Sequence, residues 1–121
     1  MVKDVESRIE IFRDIIKLAE KRRKFVENDQ EYTKEDVALD NYMDNLDFED
    51  VKVLQTVMYL GRDREYNKDL SPSEIYKEER RYFDTNGWVN KKVEANQMLE
   101  KTPLDQYLVN GLKILKVNWE K

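Results

Sequence analysis

Apolar residues recur every three or four positions along nearly the whole chain, and no stretch alternates as a strand does. The longest stripe predicts one helix from about Asp4 to Glu27. Arg23 fills the only gap in that stripe, and extra apolar positions widen it, so the helix is expected to pack against more than one neighbour. The stripe consists of Val5, Ile9, Phe12, Ile16, Ala19 and Val26, widened by Ile11, Ile15, Leu18 and Phe25.

Polar residues predict the starts of the second and third helices. A connection over residues 28–32 leads to Thr33 and Asp36, which resemble a capping box with aspartate in place of glutamate. Asp47 and Asp50 frame the next start, and Gly61 is predicted to end that helix. The apolar positions of the two helices are Val37, Leu39, Tyr42, Met43 and Leu46, then Phe48, Val51, Leu54, Val57 and Met58.

The fourth helix has the clearest boundaries. Ser71, Pro72 and Glu74 supply an N-cap, a first-position proline and a third-position acid, and Asn86-Gly87 marks the end. A weakly amphipathic fifth helix follows Trp88. One side of the fourth helix is predicted to carry Ile75, Tyr76, Glu79, Tyr82 and Phe83, with the last two on its buried face.

The last helix is predicted from Pro103 to about Val117, with Thr102 as its cap and Asp105 at its third position. Gly111 costs about 1 kcal/mol relative to alanine inside a helix, so we expect it to mark a close approach of two helices. Together these patterns predict an all-α fold, a compact bundle of about six helices forming one domain over residues 1–121. The inward positions are Leu104, Leu108, Gly111, Leu112 and Leu115.

Composition narrows the function classes. The chain has no cysteine and no histidine, which excludes disulfides, thiolate nucleophiles, imidazole ligands and histidine-based catalysis. We therefore expect no enzyme activity and no cofactor. The amino terminus lacks the apolar core of a signal peptide and no segment suits a bilayer span, so a cytoplasmic protein without a membrane partner is expected. A net charge of −4 argues mildly against nucleic-acid binding.

One loop has the spacing of a calcium site. Asp63, Glu65, Asn67, Asp69, Ser71 and Glu74 occupy positions 1, 3, 5, 7, 9 and 12 of an EF-hand loop. However, Lys68 stands where the sharp turn requires glycine, and Pro72 is atypical. Glu74 has a sufficient alternative role in its capping box, so calcium binding is kept only as an alternative.

Charged clusters supply the remaining candidates. Arg62 and Arg64 could present guanidinium groups to a partner, although arginines that follow a helix more often pair with acidic neighbours. The basic run Lys21 to Lys24 is interpreted as complementing a helix dipole. Residues 35–50 are acidic, so an inhibitor that mimics nucleic acid is a further alternative, set against a solvated face.

Residues 48–115 resemble a family of small bacterial helical domains of unknown function. The resemblance implies helices and a bacterial source, and supplies no activity. Asp105 departs from it, because a second leucine follows Thr-Pro-Leu in that pattern. The matching residues are Leu54, Met58, Leu60-Gly61-Arg62, Tyr76-Lys77-Glu78, Met98-Leu99, Thr102-Pro103-Leu104, Tyr107-Leu108 and Gly111-Leu112.

These observations favour a protein-interaction or assembly module. Two routes are open: a homodimer through the first helix, whose stripe is broader than a bundle seam, or a groove near Arg62 that receives another protein. A small-ligand or calcium-binding module at Asp63–Glu74 is the alternative.

Overall fold

The computed structural model describes residues 2–26 and 34–120, and within them it has seven helices and no strand. The all-α prediction is confirmed. The predicted Thr33 cap and the connection before it lie outside the described residues. The helices are α1 (Lys3–Glu6), α2 (Ile9–Val26), α3 (Lys34–Asp44), α4 (Phe48–Asp63), α5 (Pro72–Asn86), α6 (Lys91–Leu99) and α7 (Leu104–Ile114).

The centre of the bundle is the crossing of α4 and α7, which contact each other more extensively than any other pair. A Cβ atom on Gly61 would overlap the carbonyl oxygen of Tyr107, and one on Gly111 would overlap that of Val57. Each glycine therefore admits the backbone of the opposite helix. This confirms the expectation that Gly111 marks a close helix approach.

The predicted end of α4 at Gly61 is wrong. The helix continues to Asp63, and Arg64 ends it in the left-handed conformation (φ 57°), with its N–H donating to the carbonyl of Leu60 at 2.9 Å. Gly61 is buried inside the helix because its missing side chain serves the crossing with α7 rather than a C-cap.

The other helices surround this crossing. α2 packs on α7 and α3, which confirms more than one neighbour for the first stripe, and α6 packs on α4 and α3. The acidic start of α4 is tied to the N-terminal turn by Arg8, which donates to Asp50 at 2.7 Å. Buried apolar side chains form one cluster; Val37 is an exception to its predicted inward position and is 41% exposed.

The predicted single N-terminal helix is two helices, α1 and α2. The N–H of Arg8 bonds to the carbonyl of Val5 at 3.0 Å instead of that of Asp4. The Asp4 carbonyl is taken by side chains, Ser7 Oγ at 3.3 Å and the Arg8 guanidinium at 2.8 Å. Side-chain donors that compete for a backbone carbonyl interrupt a helix, and they do so here.

Arg23 of α2 and Asp105 of α7 form an ion pair. The guanidinium of Arg23 donates to both carboxylate oxygens of Asp105, with the shortest contact at 3.0 Å, and Asp105 is only 5% exposed. Arg23, which interrupts the apolar stripe, and Asp105, which replaces the second leucine after Thr-Pro-Leu, are thus the two partners of one ion pair. Asp105 does not serve as a capping acid.

The predicted cap of the last helix is wrong in its details. Pro103 occupies the N-cap position, the Thr102-Pro103 peptide is cis, and no side chain caps the helix. The carbonyl of Thr102 instead accepts from the hydroxyl of Tyr107 at 3.1 Å. The helix ends at Ile114 rather than Val117, since Lys116 adopts a left-handed conformation (φ 56°).

Replacing Gly111 by alanine should destabilise the fold although alanine is the better helix former. The added methyl group would meet rigid backbone of α4, and we expect a loss of about 3 kcal/mol in the free energy of unfolding. Urea denaturation measures it. Lys113→Ala, on the exposed side of α7, is the matched control and should change stability little; equal stabilities of the two variants would refute the packing role.

Arg23→Leu should cost about 3 kcal/mol, because it leaves the buried carboxylate of Asp105 without its guanidinium. Adding Asp105→Leu should restore much of that loss, since an apolar pair replaces the ion pair. A double-mutant cycle in urea tests this. Strictly additive losses would show that the two side chains do not depend on each other.

Candidate interaction surface

α5 lies on the outside of the bundle and packs on α4. Only Ile75 and Tyr76 of its fifteen residues are buried. Its start is the predicted capping box: the N–H of Ser71 donates to Glu74 at 3.1 Å, and the N–H of Glu74 donates to the Ser71 hydroxyl at 3.3 Å. Gly87 ends it with φ 90°. The helix is therefore well defined at both ends while most of its surface faces solvent.

Four aromatic rings meet where α5 joins α4. Phe83 is the hub, with ring centroids 5.2 Å from Tyr59, 5.3 Å from Tyr82 and 5.8 Å from Trp88. These spacings are those of favourable aromatic pairs. We call these four residues the aromatic surface.

The prediction that Tyr82 is buried is wrong. Tyr82 is 63% exposed, and Val89 beside the surface is 66% exposed. Phe83 is half-buried, so the helical face that packs inward is narrower than the sequence suggests.

Cations flank the aromatic surface at two ends. The guanidinium of Arg62 lies 4.6 Å from the ring centroid of Tyr59, and the ammonium of Lys52 lies 5.8 Å from that of Trp88. Both distances are within the range of cation–π attraction. The surface thus combines one exposed ring, that of Tyr82, and three half-buried rings with positive charge at its rim.

Arg80 fixes the position of α5. Its guanidinium donates to both carboxylate oxygens of Glu49 on α4, at 2.9 and 3.0 Å, and to Asp84 at 3.0 Å. Asp84 in turn accepts from the indole N–H of Trp88 at 2.6 Å. Burial alone would lower the pKa of Arg80, but hydrogen bonds to Glu49, Tyr76 and Asp84 outweigh it and raise that pKa.

The buried carboxylate of Glu94 holds the segment after α5. Glu94 accepts from the N–H of Val89 at 2.9 Å and from the side-chain amide of Gln55 at 2.8 Å. Asn90 caps α6 by accepting from the N–H of Val93 at 2.9 Å. Trp88 and Val89 are therefore presented from a fixed backbone.

Glu79 is a half-buried carboxylate beside this surface, one turn before Phe83. Within the described parts of the chain it has no hydrogen-bond or ion-pair partner. Burial, with Asp63 and Glu65 nearby, raises the pKa of Glu79 to about 7. Its charge is therefore unfavourable to the folded state at neutral pH.

Several residues of the predicted calcium loop have other roles in the structure. Asp63 belongs to α4, Glu74 caps α5, and the Asn67 side chain accepts from the N–H of Asp69 at 2.9 Å. The bond from the N–H of Ser71 contributes most to lowering the pKa of Glu74. Among the described residues, no three acidic side chains are grouped to hold a metal ion.

Of the two arginine candidates, Arg62 lies at the edge of the aromatic surface and Arg64 ends α4. Arg62 and Arg64 are both exposed, and Arg62 pairs with its neighbour Asp63 at 2.9 Å. In the basic run, Arg23 and Lys24 do lie in the last turn of α2. Arg22 does not fit the dipole interpretation alone, since it is buried and donates to the carbonyl of Leu99 at 2.9 Å.

Carboxylates of the acidic segment pair within the chain. Asp50 binds Arg8, Glu49 binds Arg80, and Asp36 lies 4.0 Å from Arg22. The segment therefore offers fewer free charges than its composition suggests.

No protein-family model, no curated protein and no solved structure matches the chain. The resemblance of residues 48–115 to small bacterial domains thus stays a prediction. Each helix that the structure describes is too short or too polar to traverse a lipid bilayer.

The sequence pattern does not point to Tyr59 or Trp88 as surface residues, and it places Glu79 on the inward side of α5 without indicating that its carboxylate lacks a partner among the described residues. Tyr59 continues the apolar run of α4, and Trp88 stands in the connection before the next helix. A usable signal was present: an aromatic residue directly after Asn86-Gly87 returns towards the helix that has just ended.

Glu79→Gln should stabilise the protein above neutral pH. The folded state binds the Glu79 proton more tightly than the unfolded state, so the associated stability is complete below about pH 4.5 and is lost as the pH rises through about 7. We expect a gain of about 1 kcal/mol at pH 8, after solvent screening, and none at pH 4.

Urea denaturation at the two pH values measures this gain. Glu78→Gln is the matched control, because Glu78 is an exposed neighbour on the same helix. A pH-independent gain, or the same gain in both variants, would contradict the assignment.

Proposed function

We propose that this chain is a non-catalytic protein-interaction module whose partner binds the aromatic surface. The observation that carries the proposal is the exposure of Tyr82, 63%, on a helix that packs on the bundle from one side only. Tyrosine, tryptophan and arginine are the residues that most often dominate the binding energy of interfaces. Arg62, a predicted interaction residue, lies against Tyr59 at the rim.

The preformed backbone also supports this use. Arg80, Asp84 and Glu94 hold α5 and the Trp88 segment by hydrogen bonds, so a partner would not have to order them on binding. A preorganised surface keeps more of its contact energy as affinity.

The first helix supports self-association less than its stripe suggests. Phe12, Ile15, Ile16 and Ala19 are each at most 3% exposed, covered by α3, α7 and their neighbours. A second copy of the chain would bind through the aromatic surface rather than through the first helix.

The double variant Tyr82→Asp/Val89→Asp should lose partner binding by about tenfold or more, because charge replaces apolar contact at the exposed ring of Tyr82 and at Val89 beside it. The proteins retained from the native cell by immobilised wild-type chain identify the partner, and titration of that partner measures the loss. Light scattering reports the case of a second copy.

Val37→Asp is the matched control, since Val37 is also exposed but lies on α3. It should bind as the wild type does. Circular dichroism must show that both variants stay folded. Equal partner affinity of the two variants would refute the proposal.

A further inference from the structure

A second feature of α5 lies on the side that faces the N-terminal turn. A cleft of about 580 Å³ is lined there by residues 2–4 and by two neighbouring rows of α5. The first row is Ser73, Lys77 and Arg81, and the second is Tyr76, Arg80 and Asp84; in each row the residues are four apart. We call this the basic cleft.

Three cations of the basic cleft are unpaired. Lys3, Lys77 and Arg81 have no hydrogen-bond or ion-pair partner among the described residues, whereas Arg80 is engaged by Glu49 and Asp84. In a chain of net charge −4, three cations without an ion-pair partner in the described residues line one concave site, where a low-dielectric wall strengthens their attraction for an anion.

Hydrogen-bond donors in the cleft also lack acceptors. The Tyr76 hydroxyl accepts from Arg80 at 3.3 Å, and within the described chain its own proton has no acceptor, although Tyr76 is only 4% exposed. The Ser73 hydroxyl likewise has no described partner. Asp84 is already bound to Arg80 and Trp88, which leaves Asp4 as the cleft's one carboxylate without an ion pair in the described residues.

We propose that the basic cleft binds a phosphate monoester. Such a group carries about −1.5 to −2 charges at neutral pH and presents three strong acceptor oxygens, which suits three cations opposed by one carboxylate. The Arg81 fork and the Lys77 and Lys3 ammonium groups bind the oxygens, and the hydroxyls of Ser73 and Tyr76 donate to them. A cleft of this size also admits the organic group, which lies against Val2 and the Tyr76 ring.

None of the four residues of the aromatic surface lines the basic cleft. The phosphate can come from a small metabolite or from a phosphorylated side chain of a protein, and the chemistry of the cleft is the same for both. A monocarboxylate would use only part of the donor set, so the cleft should discriminate against it.

Phenyl phosphate is the probe, titrated at constant ionic strength and pH 7.5 while backbone amide shifts are recorded by NMR. We expect saturable binding with shifts confined to α1 and the first three turns of α5. Lys77→Ala and Arg81→Ala should each weaken binding about tenfold. Asp4→Asn should strengthen it several-fold, because it removes the opposing charge.

Lys92→Ala is the matched control, since Lys92 is an exposed lysine of α6 outside the cleft. It should bind phenyl phosphate as the wild type does. Binding should also weaken at pH 5, where the phosphate takes up a proton and carries less negative charge.

The proposal is wrong if Lys77→Ala and Arg81→Ala bind like Lys92→Ala, or if benzoate binds as well as phenyl phosphate. Two further probes separate the sources. Tighter binding of a phosphotyrosine peptide than of phenyl phosphate indicates a protein ligand, and tighter binding of a sugar phosphate indicates a metabolite.

Discussion

The backbones of α4 and α7 are in contact, and this contact requires that neither helix carry a side chain at the point of crossing. Gly61 faces the carbonyl of Tyr107, and Gly111 faces that of Val57. Val57 lies four residues before Gly61 on α4, and Tyr107 lies four residues before Gly111 on α7. Each helix therefore presents a carbonyl to the glycine of the other. α2, α5 and α6 all pack on one of these two helices, and their positions therefore follow from how closely the two approach.

Much of the helical architecture was predictable because it depends on local rules. The Ser71–Glu74 capping box, the stop at Gly87 and the inward row of α7 all follow from residues close together in sequence. The errors arose where a distant partner decides the outcome. Gly61 resembles a C-cap until Tyr107 is known to lie against it, and Arg8 resembles a helix residue until its bonds to Asp4 and Asp50 are seen.

The candidate surface was predictable only at its edge. The position of Arg62 after the apolar run predicts an exposed cation, but Tyr59 lies within that run and its sequence context does not distinguish it from a core residue. The face of α5 was misjudged at Tyr82, since periodicity locates the centre of a buried stripe better than its borders. Pairs such as Glu49 with Arg80 link separate helices, and one sequence does not reveal them.

Arg80 has a consequence beyond holding α5 in place. It lines the basic cleft, and its partner Asp84 also holds the indole of Trp88 in the aromatic surface. A ligand that broke the bond between Arg80 and Asp84 would change the free energy of the hydrogen bond that holds the Trp88 indole to Asp84. Thermodynamic linkage requires such an effect to be reciprocal. A ligand in the basic cleft and a partner on the aromatic surface would therefore change each other's affinity by the same factor. The Arg80 guanidinium would thereby couple binding at the basic cleft to binding at the aromatic surface.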